Sequence, residues 1–262
     1  MVHRKSIVKK EVLKQIVSPI ASLRKNDSNN SELETQCLFG EKVFILTSRN
    51  KWLLCKTFTD SYKGWIEKKN IGSFNVSTHK ISNLISNVYK KPDIKSEVII
   101  KLYFNSNVLI NDFDKTWSKI NYKNKTYFIS NKHITPIKEI NKEWMDVAYS
   151  FLGAPYLWGG KTFFGIDCSG LVQLALSSSG IFLPRNSNDQ AKSSCKKLKN
   201  VSKIEKGCLI FWKGHVAIVF KKNKILHSNA YHMCVQTEPL NKALSRIKGK
   251  YGDIISIKKV LI

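Results

Sequence analysis

Alternating apolar and polar positions in the first half of the chain predict short β-strands. Runs rich in β-branched and aromatic residues lie at 37–46, 52–58 and 64–71. The turn-forming pairs Asn50-Lys51 and Asp60-Ser61 separate these runs, which is the pattern of strands joined by tight turns. Further along, EVIIKLYF, NVLINDF, TWSKINY and KTYFISNKHITPI show the same character. The first half of the chain is therefore predicted to be all-β.

A weakly repeated unit divides this all-β half. Each copy has a turn before a hydrophobic strand, then a strand that begins with Trp, then an aromatic residue and a closing strand, as in SYKGWI and KTYFIS. We therefore predict two small all-β barrels, at 18–75 and 80–138, behind a basic lead-in segment at 1–17. Each barrel is close to the smallest size that holds its own core, so we expect them to pack on each other or on the C-terminal half of the chain.

From about residue 139 the apolar residues recur at helical intervals. EINKEWMDVAYSFLG ends in Gly153, and a broad apolar helix follows Cys168 and ends before Gly180. The strands predicted after these helices lie at 208–212, 215–220, 224–228, 232–238 and 253–262. Helices followed by an antiparallel sheet predict an α+β domain at 140–262.

Composition narrows the class of protein and its compartment. No run of 18 apolar residues occurs, so we expect no membrane span. The N-terminal stretch MVHRKSIVKKEVLKQIV carries charges throughout and lacks an apolar h-region, which argues against a signal peptide. The six cysteines have no CxxC spacing and mostly lie in apolar runs, as reduced and buried cysteines do. Together these features favour a cytoplasmic protein.

The net charge of +25 does not by itself indicate a nucleic-acid-binding protein. Almost all of the positive charge is lysine, spread along the chain, and there are only five arginines. Readout of bases and phosphates relies on the bidentate guanidinium of arginine, so a solvated lysine surface is the favoured interpretation. We expect no nucleic-acid partner, no cofactor and a monomer, with the charge helping to attract anionic substrates.

Cys168 is the candidate nucleophile. It lies between Asp167 and Ser169, directly before the apolar helix, and Asp167 occupies the position of a helix N-cap. Free amides and the helix dipole in a first turn favour a thiolate over a thiol, so we expect Cys168 to ionise readily. The alternative is a buried, inert thiol, for which DCSG at a helix start is a poor context.

Two histidines are the candidate base and its orienting partner. His215 opens the predicted strand HVAIVF, and His227 ends the next strand, KILHS. The short polar connection KKNK between them is typical of a hairpin, so both side chains can lie close together. Cysteine, histidine and histidine in these positions match the nucleophile, base and orienter of a thiol hydrolase. The same residues with Asp167 could instead bind zinc, although no closely spaced ligand pair occurs.

Three segments resemble the motifs of the NlpC family of cell-wall peptidases, in the papain-like clan. They are GAPYLWGGKTFFGIDCSGLVQLAL, GCLIFWKGHVAIV and ILHSNAYHMCVQTEPL, which occur in the family's order. The resemblance implies a papain-like α+β catalytic domain at 140–262. LETQCLFGE and SYKGWI in the all-β half resemble the bacterial SH3-like domains of the family's γ-D-glutamyl-L-diamino-acid endopeptidases. The two predicted barrels would then be SH3-like.

The resemblance assigns catalytic roles to single residues. It implies Cys168 as the nucleophile, His215 as the base and His227 as the orienting third residue. Tyr156, before WGG, would face the nucleophile and could help to stabilise the oxyanion. Two positions depart from the family's pattern: Cys208 and Asn186 stand where Asp is often found.

The resemblance also implies a set of substrate-binding residues. In the α+β domain these are Asp167, Ser169, Arg185 and Ser187. The first barrel would contribute Tyr62 and a glutamate that binds a free substrate amine, for which Glu32 is our choice and Glu34 the alternative. Loop chemistry alone would explain Arg185 and Ser187 as turn residues, and barrel packing alone would explain Tyr62.

The implied reaction is cleavage of the bond between γ-D-glutamate and a diamino acid, diaminopimelate, in peptidoglycan stem peptides. Glu32, Asp167 and Tyr62 would bind the free α-amine of an N-terminal L-Ala. Only released peptides would then fit, which implies a role in murein peptide recycling. The alternatives are a catalytically idle protein that binds wall fragments, and an amidase or acyltransferase that uses the same residues on another substrate.

Overall fold

Antiparallel strands fill the first half of the chain, as its alternating pattern predicts. The structure is a computed structural model and describes residues 11–141, 143–193, 196–198 and 204–260. The strands of the first unit are β1 (Val12–Ile16), β2 (Ile20–Arg24), β3 (Leu33–Leu38), β4 (Lys42–Arg49), β5 (Trp52–Thr57), β6 (Lys63–Glu67) and β7 (Ile71–Gly72). They pair in the order β3-β2-β6-β5-β4-β1-β7, and a 3-10 turn, Lys68–Asn70, precedes β7.

β1 lies inside the segment that we predict as a basic lead-in, so that prediction is wrong for Val12–Ile16. The strand pairs antiparallel with β4 and β7, and Ile16 is fully buried in the core of the first unit. The apolar residues of VLKQI do not alternate, and flanking charged residues surround them, so the sequence pattern does not indicate this strand. Residues 1–10, the rest of the predicted lead-in, lie outside the described residues.

The predicted strand at 37–46 is interrupted at Gly40, where the chain turns from β3 into β4. Gly40 has a φ of +78°, and a Cβ there would lie 2.0 Å from the carbonyl oxygen of Asn107. The Asn107 amide also donates to the carbonyl of Phe39 at 2.8 Å, which joins the first unit to the second. Both the backbone conformation and this close approach therefore require glycine at position 40.

The second unit is also built of antiparallel strands. They are β8 (His79–Ile81), β9 (Ile85–Tyr89), β10 (Val98–Tyr103), β11 (Asn107–Val108), β12 (Asp112–Phe113), β13 (Trp117–Tyr122), β14 (Lys125–Ser130) and β15 (Ile134–Pro136), with a 3-10 turn at Asn131–His133. They pair in two sheets, β10-β9-β14-β13-β12 and β11-β8-β15, around a core that includes Val88, Leu102 and Ile129. The unit is all-β as predicted, and its assignment as a second SH3-like barrel stays a prediction.

The α+β domain predicted at 140–262 places helices against one antiparallel sheet. Its elements are α1 (Trp144–Ser150), β16 (Lys161–Thr162), β17 (Gly165–Ile166), α2 (Cys168–Ser178), α3 (Ser187–Gln190), β18 (Lys196–Lys197), β19 (Cys208–Trp212), β20 (His215–Lys221), β21 (Lys224–Asn229), β22 (Cys234–Pro239), α4 (Leu240–Tyr251) and β23 (Ser256–Lys259). The main sheet has the order β18-β23-β19-β20-β21-β22. β16 and β17 form a separate hairpin before α2.

Helices cover both faces of the main sheet. Leu171 and Leu174 of α2 pack with one face, in a cluster that includes Val216 of β20. Ala243 and Ile247 of α4 pack with the other face, and the sequence analysis missed this helix. None of the helices in the described ranges is long and apolar enough to cross a membrane. The amino-terminal end of α2 and the β20–β21 hairpin meet at the edge of this core, where the candidate site lies.

Candidate active site

Cys168 is the first residue of α2, and Asp167 caps the helix as predicted. Asp167 has an extended backbone (φ −96°, ψ 177°), and its Oδ1 accepts a hydrogen bond from the Gly170 amide at 2.7 Å. Only 7% of Cys168 is exposed. Burial, followed by the charge of Asp167, raises the pKa of the Cys168 thiol to about 12, although the amide of Val216 opposes this. The resting group is therefore a thiol, and the readily formed thiolate predicted from the helix start is wrong, because burial dominates.

His215 and His227 lie side by side on the β20–β21 hairpin, as predicted. Nε2 of His215 lies 2.9 Å from Nδ1 of His227. The hairpin turn contains Asn223 at a φ of +61°, and Gly214 at +71° turns the chain into β20. Burial, then the neighbouring His227 and Arg246, lower the pKa of His215 to about 3, so its imidazole is neutral at pH 7. A neutral imidazole that donates from Nε2 keeps Nδ1 as its basic nitrogen.

Glu238 and Arg246 extend this line of polar groups, and the sequence analysis missed both. Oε1 of Glu238 lies 2.9 Å from Nε2 of His227, and Arg246 forms an ion pair with the same oxygen. Burial alone would raise the pKa of Glu238, but His227 and Arg246 lower it to about 2. The strand register explains the contact, because His227 lies opposite Gln236 and Glu238 is the next residue on that face.

Asp167 and Arg185 form a buried ion pair that organises the start of α2. Arg185 donates from Nη1 and Nη2 to the two carboxylate oxygens of Asp167, at 2.9 and 2.6 Å. Its Nη1 also donates to Oγ of Ser169 and its Nε to Oγ1 of Thr35, at 2.9 and 2.7 Å. Arg185 is 2% exposed. Because these bonds engage every nitrogen of the guanidinium, the structure places Arg185 as a buried clamp, and direct substrate contact stays a prediction.

The carboxylate of Asp167 is similarly occupied. Besides Arg185, it accepts from the amides of Gly170 and Gly159 and from the hydroxyl of Ser169. A carboxylate with two oxygens has about four acceptor positions, so these donors leave little capacity for a further amine. Ser187 is the first residue of α3, and its side chain is buried. Ser169 and Ser187 as substrate contacts also stay predictions.

The first unit places Tyr62 and Glu34 against the catalytic domain. The Tyr62 hydroxyl donates to Oε2 of Glu34 at 2.6 Å and lies 3.5 Å from Oδ1 of Asn186. Burial, and then the hydrogen bond to Glu34, raise the pKa of Tyr62 to about 12, so the phenol is neutral. Glu32 is exposed and pairs with Lys25 at 3.5 Å. Glu34 is therefore the carboxylate beside Tyr62, and the choice of Glu32 over Glu34 as the amine-binding residue stays a prediction.

Four further contacts seat the first unit on the catalytic domain. The backbone N–H of Gln36, on β3, donates to the carbonyl of Gly159 at 2.8 Å. Its side-chain oxygen Oε1 accepts from the backbone N–H of Lys161 at 2.9 Å. The Lys161 ammonium forms a largely buried ion pair with Glu41 at 2.8 Å. Asp60 accepts from Gln173 of α2 at 2.7 Å. The loop before Cys168 and the helix that carries it are thus both tied to the first unit.

The backbone of Tyr156 lies beside the strand that leads into Asp167 and Cys168, and its role at the nucleophile stays a prediction. Its amide donates to the carbonyl of Met233, and a parallel bridge joins it to Ile166, just before Asp167. Burial, followed by the charges of Cys168 and Asp167, raises the pKa of the phenol, which is therefore protonated and able to donate.

The predicted zinc alternative is not supported by the arrangement of side chains. Among the described residues, the side chains close enough to share a metal ion are those of His227, His232 and Glu238. This group lacks Cys168 and Asp167, which the alternative requires. Arg246 is bound to the carboxylate of Glu238, and its positive charge opposes a cation at that place.

Two family models match the sequence. The model described as "NlpC/P60 family" matches residues 153–248. The model described as "Bacterial dipeptidyl-peptidase Sh3 domain" matches residues 23–71, within the first unit.

Relatives with curated names match most of the chain. A gamma-D-glutamyl-L-lysine dipeptidyl-peptidase of Bacillus cereus is 27% identical over 248 residues, which cover 82% of this chain and 72% of the relative. Dipeptidyl-peptidase 6 of Lysinibacillus sphaericus is 25% identical over 236 residues, 82% of this chain and 86% of the relative. Among solved structures, an NlpC/P60 family protein from Bacillus cereus has a TM-score of 0.80 at 19% identity, covering 96% of this chain and all of that one. This last similarity shows a shared fold.

Proposed function

Because this chain belongs to the NlpC/P60 family of cysteine peptidases, we propose that it cleaves the bond after γ-D-glutamate in peptidoglycan stem peptides with a free N-terminal L-Ala. The predicted family and the enzyme class are confirmed by the matching models and relatives. Three of the relatives are named as dipeptidyl-peptidases, two of them for γ-D-glutamyl-L-lysine. A dipeptidyl-peptidase releases two residues from a free N-terminus, and L-Ala-γ-D-Glu is such a pair.

The observation that carries this proposal is the Glu34–Tyr62 pair at the edge of the catalytic domain. Asp167 is paired with Arg185, whereas the carboxylate of Glu34 has no cationic partner and is bonded only to the phenol of Tyr62 among the contacts described. A carboxylate and a hydroxyl together suit an ammonium group, which offers three donors. We therefore assign recognition of the substrate α-amine to Glu34 and Tyr62. An N-blocked peptide would lose this charge pairing and would have to leave Glu34 unpaired.

The chemistry follows from the neutral resting groups. Nδ1 of His215 takes the thiol proton of Cys168, and the sulfur attacks the γ-carbonyl carbon of D-glutamate. Donors at the nucleophile, the Cys168 amide and the Tyr156 phenol, stabilise the oxyanion; losing one such donor typically costs about 100- to 1,000-fold in rate. The imidazolium of His215 returns its proton to the leaving amine of the diamino acid. Water, deprotonated by His215, then hydrolyses the thioester and releases the dipeptide and the free thiol.

We propose diaminopimelate as the diamino acid. Its second carboxylate would be attracted by the net charge of +25, an attraction that lysine in the same position would lack. The names of two relatives specify lysine, so paired peptides that end in diaminopimelate or lysine decide this point.

A requirement for a free amine would restrict the enzyme to peptides that have already left the glycan, as in murein peptide recycling. We propose a reducing, cytoplasmic location for this role. The cysteines of the described residues are all unpaired, and most are buried, as is usual where thiols stay reduced.

The test is mass spectrometry of L-Ala-γ-D-Glu-diaminopimelate and its N-acetylated form after incubation with the protein. We expect diaminopimelate to be released from the free peptide alone. Glu34→Gln should lower kcat/KM for the free peptide by about 10- to 100-fold, the effect of losing a charge-assisted contact. Glu32→Gln is the matched control and should leave it unchanged. Equal cleavage of both peptides would refute the amine recognition, and cleavage of neither by folded protein would refute the substrate.

A further inference from the structure

The line of buried polar groups that starts at His215 does not end at His227. His227 is fully buried, and no side chain or backbone group of the described residues makes a hydrogen bond of good geometry to its Nε2. Oε1 of Glu238 lies 2.9 Å away, close in distance although off the ideal N–H direction, and the Glu238 side chain is only 10% exposed. An unpaired imidazole N–H in that environment would be costly, so Glu238 is the acceptor that the fold supplies.

The order of these contacts determines which nitrogen of each ring carries a proton. A carboxylate only accepts, so Nε2 of His227 must donate to Glu238, which leaves Nδ1 of a neutral His227 as an acceptor. That Nδ1 lies 2.9 Å from Nε2 of His215, which must then be the donor. Nδ1 of His215 is left without its proton, and it is the nitrogen available to remove the proton of Cys168.

We propose that Glu238 and Arg246 act as a positioning pair that fixes the tautomers of His227 and His215 and so keeps Nδ1 of His215 basic. The proposal rests on the assigned roles of Cys168, His215 and His227. It adds to them two residues that never touch the substrate. Glu238 supplies the acceptor, and Arg246 balances its charge.

Arg246 is needed because a lone carboxylate would favour the wrong state of His227. Beside an uncompensated Glu238, His227 would gain a proton and would donate from both nitrogens. Its Nδ1–H would then point at Nε2 of His215, which would have to accept and carry its own proton on Nδ1. Arg246 prevents this by pairing with Glu238, and it is held in place by its position over the ring of Tyr231, 4.3 Å from the centroid.

The fold holds this pair by two rigid elements. Glu238 is on β22, which pairs with β21 from Lys224 to Asn229. Arg246 is on α4, which packs against the sheet through Ala243 and Ile247. The other titratable rings around the histidines are His232, whose ring centroid is 6.3 Å from that of His227, and Tyr251, 6.5 Å from that of His215.

Two substitutions at Glu238 distinguish the effect of its hydrogen-bond acceptor from the effect of its negative charge. Glu238→Met keeps the length of the side chain but removes the acceptor, whereas Glu238→Gln keeps an acceptor oxygen without the charge. We expect Glu238→Met to lower kcat by about 10- to 100-fold, as loss of an orienting partner typically does, with KM unchanged. Glu238→Gln should recover most of that loss. Glu205→Met, at an exposed ion pair with Lys259 in the same domain, is the matched control and should behave as the native protein.

Two readouts do not depend on the peptide substrate. Long-range proton–nitrogen NMR of 15N-histidine-labelled protein should show His215 and His227 protonated on Nε2, and Glu238→Met should convert both towards the Nδ1–H form. The rate at which iodoacetamide alkylates Cys168, followed by peptide mass spectrometry, should fall in parallel with kcat. Thermal unfolding identifies variants that lose activity only because they unfold.

The proposal is refuted if folded Glu238→Met keeps the native tautomers and the native rate of Cys168 alkylation. It is also refuted if the native protein has either histidine protonated on Nδ1. Should the native protein fail to cleave γ-D-glutamyl peptides, the NMR and alkylation results still decide the positioning role, so the two failures are distinguishable.

Discussion

Cys168 and His215 both start as neutral groups, because both side chains are buried. The free amides of a helix start stabilise a negative charge by only about 0.3–1 kcal/mol, which burial of the thiol outweighs in raising its pKa. Burial lowers the pKa of His215 in the same way. Proton transfer between them creates a thiolate and an imidazolium together. The amide of Val216 faces the thiolate of Cys168, and Nδ1 of His227 faces the imidazolium of His215. Each new charge is therefore stabilised by a fixed dipole.

The lowered pKa of His215 makes stability depend on pH. The folded-state pKa is about 3 and the ordinary value is 6.5, so between these limits the unfolded chain binds the extra proton. This group therefore makes the free energy of unfolding rise as pH increases from about 3 to 6.5 and ceases to contribute a slope above that range. Urea unfolding of His215→Asn between pH 4 and 7.5 should show a shallower rise than the native protein. Equal slopes would mean that His215 takes up its proton in the folded protein over the same pH range as in the unfolded chain.

At the scale of elements, the start of α2 depends on an ion pair between distant parts of the catalytic domain. Arg185 lies 18 residues after Asp167 and donates to both of its carboxylate oxygens, one of which also accepts the capped amide of Gly170. The Asp167 carboxylate in turn receives the Gly159 amide of the loop before the helix. The position of Cys168 thus follows from the cap, the loop and the clamp together.

Loss of this clamp should destabilise the protein strongly. Arg185→Met leaves the carboxylate of Asp167 buried without its cation, and breaking a buried pair from one side costs about 3–5 kcal/mol. The double variant Asp167→Asn with Arg185→Met removes both charges and should recover part of that loss. Chemical denaturation measures both free energies of unfolding. If the single variant were as stable as the native protein, the pair would contribute nothing to the fold.

Much of the catalytic domain follows from local sequence signals, and the exceptions are instructive. The cap at Asp167, the helix end near Gly180 and the histidine hairpin are predicted because each depends on neighbouring residues. The sequence analysis makes no prediction for α4, although Leu240, Ala243, Leu244 and Ile247 have helical spacing. The helix lies between two predicted strands. The Glu238 contact needs the exact register of β21 and β22, which the sequence does not give. The contact of Glu34 with Tyr62 likewise depends on how distant strands align, so the sequence does not show which of Glu32 and Glu34 lies beside Tyr62.

At the scale of the whole molecule, the first unit completes the site. Three consecutive residues of its strand β3 make the relevant contacts. Glu34 accepts from Tyr62, and Thr35 accepts from Arg185. Gln36 bonds to the loop before α2. One strand therefore contacts both Tyr62, to which with Glu34 we assign amine recognition, and Arg185, which pairs with Asp167. No pattern in the sequence indicates this, because the contacts to the catalytic domain join residues more than 100 positions apart.

The Lys161–Glu41 ion pair is the contact best suited to test this coupling. Both side chains are largely buried, so Glu41→Lys places two ammonium groups together and should shift the first unit away from the loop before α2. A displacement of about 1 Å can cost on the order of 100-fold in rate. We expect kcat/KM for the free-amine peptide to fall by about 10- to 100-fold.

Alkylation of Cys168 should fall much less than kcat/KM in Glu41→Lys, because the cap at Asp167, its ion pair with Arg185 and the histidine hairpin lie within the catalytic domain. Glu11→Lys is the matched control: it makes the same charge change beside Lys56, within the first unit and away from that domain. It should keep the native kcat/KM. If Glu41→Lys also kept it, or if Cys168 alkylation fell as far as kcat/KM, the first unit would not act by holding Glu34 and Tyr62 over the cleft. The most informative measurement is the ratio of kcat/KM for the free peptide to that for the N-acetylated peptide. Displacement of Glu34 should lower this ratio while Cys168 stays reactive towards iodoacetamide.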